Sequence, residues 1–417
     1  MIDNKTSLFT SMSYFLLVLA SFSLSMPTAW ISVMSFLLLL IWFTTGNFNL
    51  KLVKVKENPA AVASLILLGL YCLGTLYASA VLPEKMVYLG KYSKLLLIPL
   101  IIGLLDSDAV RRYCMQAFLV GIFILLFISY GKWLHLLPMN LGIHDLGTLE
   151  FGYVAFKNRI AHSVLVSFGM YIMLLKAFQK PKVIHYGWLI SSFLAFYNIL
   201  YLVNGRTGQV IALALVIFFI ARKLSRKGAL CAVILLASIV YFKNEFSFLL
   251  PERMMTTSQE LQEHQSNKNL TSVGIRMEMY KNTTALILKS PFVGYGTGSF
   301  KEEYRSYAAT QDTLLKEVSN PHNQYLFTLF DLGLLGFFVL IYLFYQCWFV
   351  SQKAKMIVGI KAIDYMEGLL ITVMVGSLFN SLILDASEGK FFCVMAGIIL
   401  SGYSRGKLTK KSSIKNP

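Results

Sequence analysis

The 417-residue chain is 56% hydrophobic and only 14% charged, with mean hydropathy +0.62 and a formal net charge of +17. A soluble domain carries about a quarter charged residues, so this composition excludes a soluble protein and defines a polytopic helical membrane protein. The positive excess calls for no nucleic acid, because the cations gather in the short connections between apolar runs.

In chain order, twelve stretches approach the roughly 20 residues that cross a bilayer. They lie at about 12–26, 28–44, 60–80, 93–105, 115–137, 160–178, 186–203, 208–221, 229–243, 322–350, 366–384 and 390–403. Those at 93–105 and 208–221 are short, which predicts tilting, a break or extension by a neighbour. The first lacks a basic leader and a small-residue cleavage site, and reads as a retained span. With the N-terminus inside, 21 of the 38 Lys and Arg fall on the inner side, nine in the loop 243–321 and eight on the outer side. This asymmetry predicts that both termini are cytoplasmic and the long loop external. The expected organisation is spans one to nine over 1–243, an external loop with an amphipathic helix over 244–321, spans ten to twelve over 322–403 and a basic tail over 404–417. The five cysteines fall in or at the ends of spans and show no metal-ligand spacing, so free thiols are expected.

The inner connections are short and basic. Asp106-Ser107-Asp108 has the form of a metal–nucleotide-sugar motif, but helix capping with first-turn acids accounts for it more simply. No phosphate-loop motif occurs. The outer connections carry more chemistry. Residues 81–92 bring Glu84, Lys85 and Lys91, with Lys94 just inside the next span. Residues 138–159 end in Lys157-Asn158-Arg159, with His162 three positions on and on the same helix face. Arg159 either snorkels to the interface or binds an anion; His162 reads as a hydrogen-bonded interior residue. Gly205-Arg206-Thr207-Gly208 sets one arginine between two glycines and two apolar helices, which suits a tight turn or an anion-binding fork.

The long loop divides. Its first half is polar; its second half carries Gly274-Ile275-Arg276-Met277-Glu278-Met279-Tyr280 at the start of a helix, with Met277, Tyr280, Thr284 and Ile287 expected on one apolar face. Ser290-Pro291-Phe292 leads into a turn with Gly294, Gly296 and Gly298, expected to form a lid or floor. Pro321 is expected at the first helical position of span ten, which would put His322 in its first turn. Span eleven exits through Asn380-Ser381 to Asp385, which either orients a histidine or pairs with Lys390.

Together, Gly205–Gly208, the Arg276 helix, the Ser290–Phe300 turn and His322-Asn323-Gln324-Tyr325-Leu326 with Gly333 and Gly336 resemble the O-antigen ligase/polymerase superfamily of bacterial membrane glycosyltransferases. The resemblance is to the ligases in overall layout. It implies an all-α bundle of about twelve spans of the GT-C type in the inner membrane, with its active site facing the periplasm. It implies an undecaprenyl-pyrophosphate-linked donor and a lipid A–core acceptor. Separately, the sequence has no metal-ligand cluster or phosphate loop, so no cofactor or metal is expected. Arg206 and Arg276 match the family's arginines and His322 its histidine, giving a catalytic set of His322, Arg276 and Arg206. Arg159, Lys85, Lys91, Asn323, Tyr280 and Asp385 are further substrate-binding candidates. The chemistry is consistent: guanidinium forks hold pyrophosphate oxygens, and a histidine can take the proton of an attacking sugar hydroxyl near neutral pH. A polymerase would use the same parts on a lipid-linked acceptor. A transporter would show repeated halves and binding groups at mid-membrane, and the sequence has neither.

Overall fold

The computed structural model describes residues 2–142, 152–179, 183–203, 205–223, 272–311 and 315–412. The expected span 229–243 and the polar half of the long loop lie outside the described residues. The rest is helical, with no strand among the described residues. The first half holds α1 (Ile2–Ser23), α2 (Thr28–Thr44), α3 (Phe48–Glu57), α4 (Pro59–Tyr77), α5 (Leu82–Tyr92), α6 (Leu97–Leu104), α7 (Asp108–Trp133), α8 (Arg159–Ala177), α9 (Val183–Tyr197) and α10 (Arg206–Lys223). Then come α11 (Ser272–Lys289), α12 (Phe300–Ala309), α13 (Gln324–Lys353), α14 (Ala362–Gly376) and α15 (Ala386–Ser412).

Five helical stretches among the described residues are long and apolar enough to cross a membrane: Pro59–Tyr77, Leu82–Leu104, Asp108–Trp133, Arg159–Ala177 and Gln324–Lys353. A sixth follows if α2 and α3, bent by 119°, count as one broken span. Gly46 and Asn47, both at positive φ, make that bend. Every other expected span within the described residues also has a helix, shorter or less apolar. The interior is built round α8 and α15, whose residues Phe391–Ala396 are fully buried. The apolar side chains left exposed on α2, such as Trp30, Phe36 and Phe43, suit contact with lipid.

Two expectations about elements need correction. Residues 81–92 are not a loop: α5 runs from Leu82 and continues through a 3₁₀ turn at Ser93–Leu96 into α6, extending the short span at its front. Conversely, α14 stops at Gly376. The rest of the expected span, 377–384, is irregular backbone whose polar groups are taken up by neighbouring elements.

The Asp106-Ser107-Asp108 triplet behaves as helix-capping chemistry. Ser107 caps α7 by accepting from Val110 N, Asp106 pairs with Lys54, and Asp108 pairs with Arg111 and Lys355. The described cysteines are free thiols, with Cys114, Cys347 and Cys393 buried.

The Ser290–Phe300 turn is docked into a break in α13. Gly333, at φ 63°, interrupts that helix. Into the gap Tyr295 N donates to Phe330 O at 2.8 Å and Gly296 N to Asp331 O at 2.9 Å, while Leu334 N donates to Pro291 O at 2.8 Å. A Cβ at Gly294 would stand 2.5 Å from Phe330 O, and one at Gly296 2.6 Å from Gly74 O. These glycines therefore permit backbone-to-backbone approach. The turn is a structural plug between α4 and α13; of the two expected roles, lid or floor, this fixed docking does not suit a lid.

Candidate functional site

Helix α10 is brought to the site by two glycines. A side chain at Gly208 would collide with Ser163 of α8, and one at Gly205 would meet Ser163 Oγ at 3.0 Å and Arg159 O at 3.3 Å. The absent side chains let α10 lie directly on α8. Arg206 then starts α10 beside the backbone of Arg159, which starts α8. Thr207 Oγ1 accepts from Asn380 Nδ2 at 2.9 Å, tying this corner to the irregular segment 377–385.

Arg276 comes from α11. The buried face of that helix is Met279, Asn282, Thr283, Leu286 and Ile287, whereas Met277 and Thr284 are exposed. This departs from the expected face by about one helical position and leaves Arg276 half-buried. Burial lowers its pKa from the ordinary arginine range, Tyr280 opposes that shift, and the nearby Arg206 adds to it. A guanidinium remains charged at neutral pH under such a shift. Arg206 and Arg276 are thus electrostatic neighbours, an arrangement that favours an anion between them.

His322 is placed differently from expectation. The cap of α13 is Asn323, whose Oδ1 accepts from Tyr325 N at 3.0 Å and Leu326 N at 3.1 Å. Asparagine is among the strongest N-cap residues, and it outcompetes Pro321 for setting the helix start. His322 therefore sits ahead of the helix, in the left-handed region at φ 50°. That conformation is uncommon outside glycine, though histidine is among the residues enriched there. Asn320 Oδ1 holds it by accepting from His322 N at 2.7 Å. Its side chain is exposed, and no hydrogen bond engages its ring among the described residues. The surrounding protein, and then Arg276, hold the imidazole below its ordinary pKa. At neutral pH it is an unprotonated base.

Tyr280 and Asn323, expected to bind substrate, are engaged inside the protein. Tyr280 Oη donates to Leu378 O at 2.9 Å and to His322 O at 3.2 Å. Asn323 Nδ2 donates to Leu378 O at 3.1 Å. Both tie to Leu378 of the 377–385 segment, and Tyr280 also links the Arg276 helix to the His322 backbone.

The remaining candidates lie across the 377–385 segment. Gln324 Oε1 accepts from Ile383 N at 3.0 Å and Leu384 N at 3.1 Å. On the far side Lys94 Nζ donates to Leu384 O at 2.7 Å and Asp385 O at 2.6 Å. Burial raises the Asp385 carboxyl above its ordinary pKa, against the pull of Lys94 and Lys91. Lys390, the alternative partner of Asp385, instead donates to Ser32 Oγ at 2.6 Å. Lys91 also sits over the Tyr88 ring. Lys85 is farther along α5, where its backbone packs against Gly298. The candidates thus form two groups, Arg206–Arg276–His322 and Lys91–Lys94–Asp385, separated by one strip of backbone; Arg159 adjoins the first.

Sequence reasoning missed that strip. Asn380, Leu378 and Gln324 connect the two groups, and the only signal was the polar pair Asn380-Ser381 inside an otherwise apolar run. It also missed the depth of the polar knot beside Arg159. There His162 Nε2 meets Asn198 Oδ1 at 3.0 Å, Asn198 Nδ2 donates to Ser129 Oγ at 2.7 Å, and Lys132 Nζ donates to Val154 O at 2.5 Å. Asn198 opens a π-helical turn, Asn198–Leu202, that leads toward Arg206. His162 is the interior residue its position suggested.

These features define a helical membrane protein with two arginines and an unprotonated histidine at one corner of its bundle. Residues 189–341, which contain all three, match the family described as O-Antigen ligase. No curated protein matches the sequence.

Proposed function

We propose that the protein is an O-antigen ligase. It transfers O-antigen polysaccharide from undecaprenyl pyrophosphate to a sugar hydroxyl of lipid A–core at the periplasmic face of the inner membrane. In this reading both termini are cytoplasmic and the fold is a twelve-span GT-C bundle. The observation that supports the reading is that Arg276 lies within electrostatic reach of both Arg206 and His322, inside the segment matched to the family.

The acceptor hydroxyl loses its proton to the His322 imidazole as its oxygen attacks the anomeric carbon of the donor. The bond from that carbon to the pyrophosphate oxygen breaks, and the departing charge falls between Arg206 and Arg276. Guanidinium groups preorganised for that charge stabilise the transition state more than the ground state. A single displacement inverts the anomeric configuration. The energy resides in the donor bond, so no nucleotide takes part.

Lipopolysaccharide gels of a deletion strain test the proposal. The expected result is lipid-linked O-polysaccharide with none attached to core. Core bearing one repeat unit would assign the chain as a polymerase of the same superfamily.

A further inference from the structure

A groove of about 630 Å³ opens between α2, the α5–α6 stretch and the start of α15. Its body is apolar: Phe36 and Leu39 of α2 face Leu97 and Leu100 of α6. Its cations, Lys91, Lys94 and Lys390, lie at one end, with Ser32 between the helices there. The polarity runs the same way on both walls. Ser32 precedes Leu39 by about two helical turns on α2, and Lys91 precedes Leu100 by about two and a half turns. Phe36, Met86 and Val87 are exposed, so the groove opens sideways, toward the lipid in a membrane.

The charge at the head of the groove is one-signed on balance. Four lysines, Lys91, Lys94, Lys157 and Lys390, meet two carboxylates, Asp385 and Glu388. Lys94 turns away to the Leu384 and Asp385 carbonyls, and Lys157 interacts with Glu388. These four are among the eight Lys and Arg that stand on the cation-poor side of the chain, against the bias that orients the helices. An apolar trough with lysines at its head complements an amphiphile with an anionic head and a long chain. Its volume is that of a drug-sized site. The volume limits what lies within the trough to a segment of chain, and the open side leaves the remainder in the bilayer.

We propose that this groove is a docking position for the single-chain isoprenoid phosphate carrier of the donor, with the phosphate at Lys91 and Lys390 and the chain along Phe36, Leu39, Leu97 and Leu100. It lies beside the transfer corner, on the other side of the Leu378–Asp385 strip, and rests on the donor lipid assigned above. The carrier is held here by its phosphate and chain, and no bond is made or broken.

The test uses the full chain in phosphatidylcholine nanodiscs with a diazirine-bearing polyprenyl phosphate. Labelling should map to residues 28–44 and 86–100, and excess unlabelled polyprenyl phosphate should compete it where equimolar phosphatidylglycerol does not. The Lys91→Gln/Lys390→Gln variant should lose about tenfold in labelling, equivalent to one net charge-assisted contact. Its transfer rate should need more donor for half-saturation at unchanged kcat, a split that a merely structural defect does not give. Leu97→Trp, which fills the trough and keeps both cations, should also lose labelling. Labelling that is indifferent to both variants, that maps elsewhere, or that phosphatidylglycerol competes equally well overturns the proposal; the last outcome makes the groove an ordinary lipid contact. Transfer of glycan to lipid A–core is measured in the same discs. Active transfer without groove labelling sinks the docking site alone. Specific labelling without transfer leaves the groove standing and removes the ligase reading.

Discussion

Two of the histidines near one end of the bundle, His162 and His322, are opposites. His162 is fully buried. Because Asn198 donates through Nδ2 to Ser129, its Oδ1 must accept, so His162 Nε2 carries the proton it gives to Asn198. Its tautomer is set by its neighbours. His322 is exposed, on a left-handed residue ahead of a helix, with its backbone held on both sides by Asn320 and Tyr280. The protein fixes where that imidazole stands and leaves its ring to meet something else. A buried, paired histidine serves the fold; a backbone-clamped histidine with an uncommitted ring suits chemistry.

The sharpest way to break this contrast is to remove each ring. His322→Ala should lower turnover by about 10²–10⁴ if the ring is the general base, with donor binding and membrane insertion intact. Near-normal turnover in well-inserted protein would reduce His322 to a loop residue. Equal loss of donor binding would move it into the phosphate site. Arg276→Lys keeps the charge and loses the planar fork. Its expected loss is about 10²–10³ in kcat, the scale of removing one preorganised donor, and donor affinity should fall with it. Turnover within a few-fold of wild type would show that a point charge suffices there.

The pH profile follows from the same corner. Crowding by protein and the Arg276 charge both disfavour protonated His322, so its folded pKa lies below the ordinary value near 6.5. Activity should be flat through neutral pH and fall only as pH drops through that lowered value, where the base becomes occupied. An acid limb centred above about 6.5 would mean that the imidazole is stabilised in its charged form, contrary to its position beside an arginine.

The corner's residues were legible in the sequence, and its construction was not. Arginine between glycines and histidine ahead of an apolar helix can be read from residue types. The cap could have been read as well, since Asn323 outranks Pro321 as a helix-start signal. The strip 377–385 could not. Leu378, Phe379, Leu382, Ile383 and Leu384 continue the hydrophobic run of α14, so periodicity extends the span through them. What ends the helix is distant backbone pairing, Leu378 O with Tyr280 and Asn323, and Ile383 N and Leu384 N with Gln324. Residues 81–92 failed in the opposite sense, because charge spaced along an amphipathic helix looks like a polar loop.

That strip makes a smaller prediction. Gln324→Leu keeps volume but leaves the Ile383 and Leu384 amides buried without an acceptor. Each such group costs about 1–3 kcal/mol, and the strip carries the Tyr280 and Asn323 contacts on one side and Lys94 on the other. Thermal stability in detergent should fall, and turnover should fall with it because His322 and Arg276 lose a shared support. Gln324→Glu, which retains an acceptor oxygen for both amides, should recover more of the turnover than Leu does. If both variants behave alike, the strip is held by other contacts.

The smallest effect is expected at the buried histidine. His162→Leu removes the donor to Asn198 Oδ1 and leaves that oxygen unsatisfied, at a cost of about 1–3 kcal/mol. Asn198 begins the π-helical turn that leads to Arg206, so loosening there reaches the corner only through backbone. The folded fraction should drop, and the rate per folded molecule should stay within about threefold of wild type, well short of the 10² floor for a lost general base. The double variant with Asn198→Leu replaces both partners by apolar groups and should regain part of the lost stability, since a pair deleted together leaves no orphan. A large loss of turnover in fully folded His162→Leu would contradict the assignment of the two histidines to separate tasks, and would make the buried knot part of the reacting site.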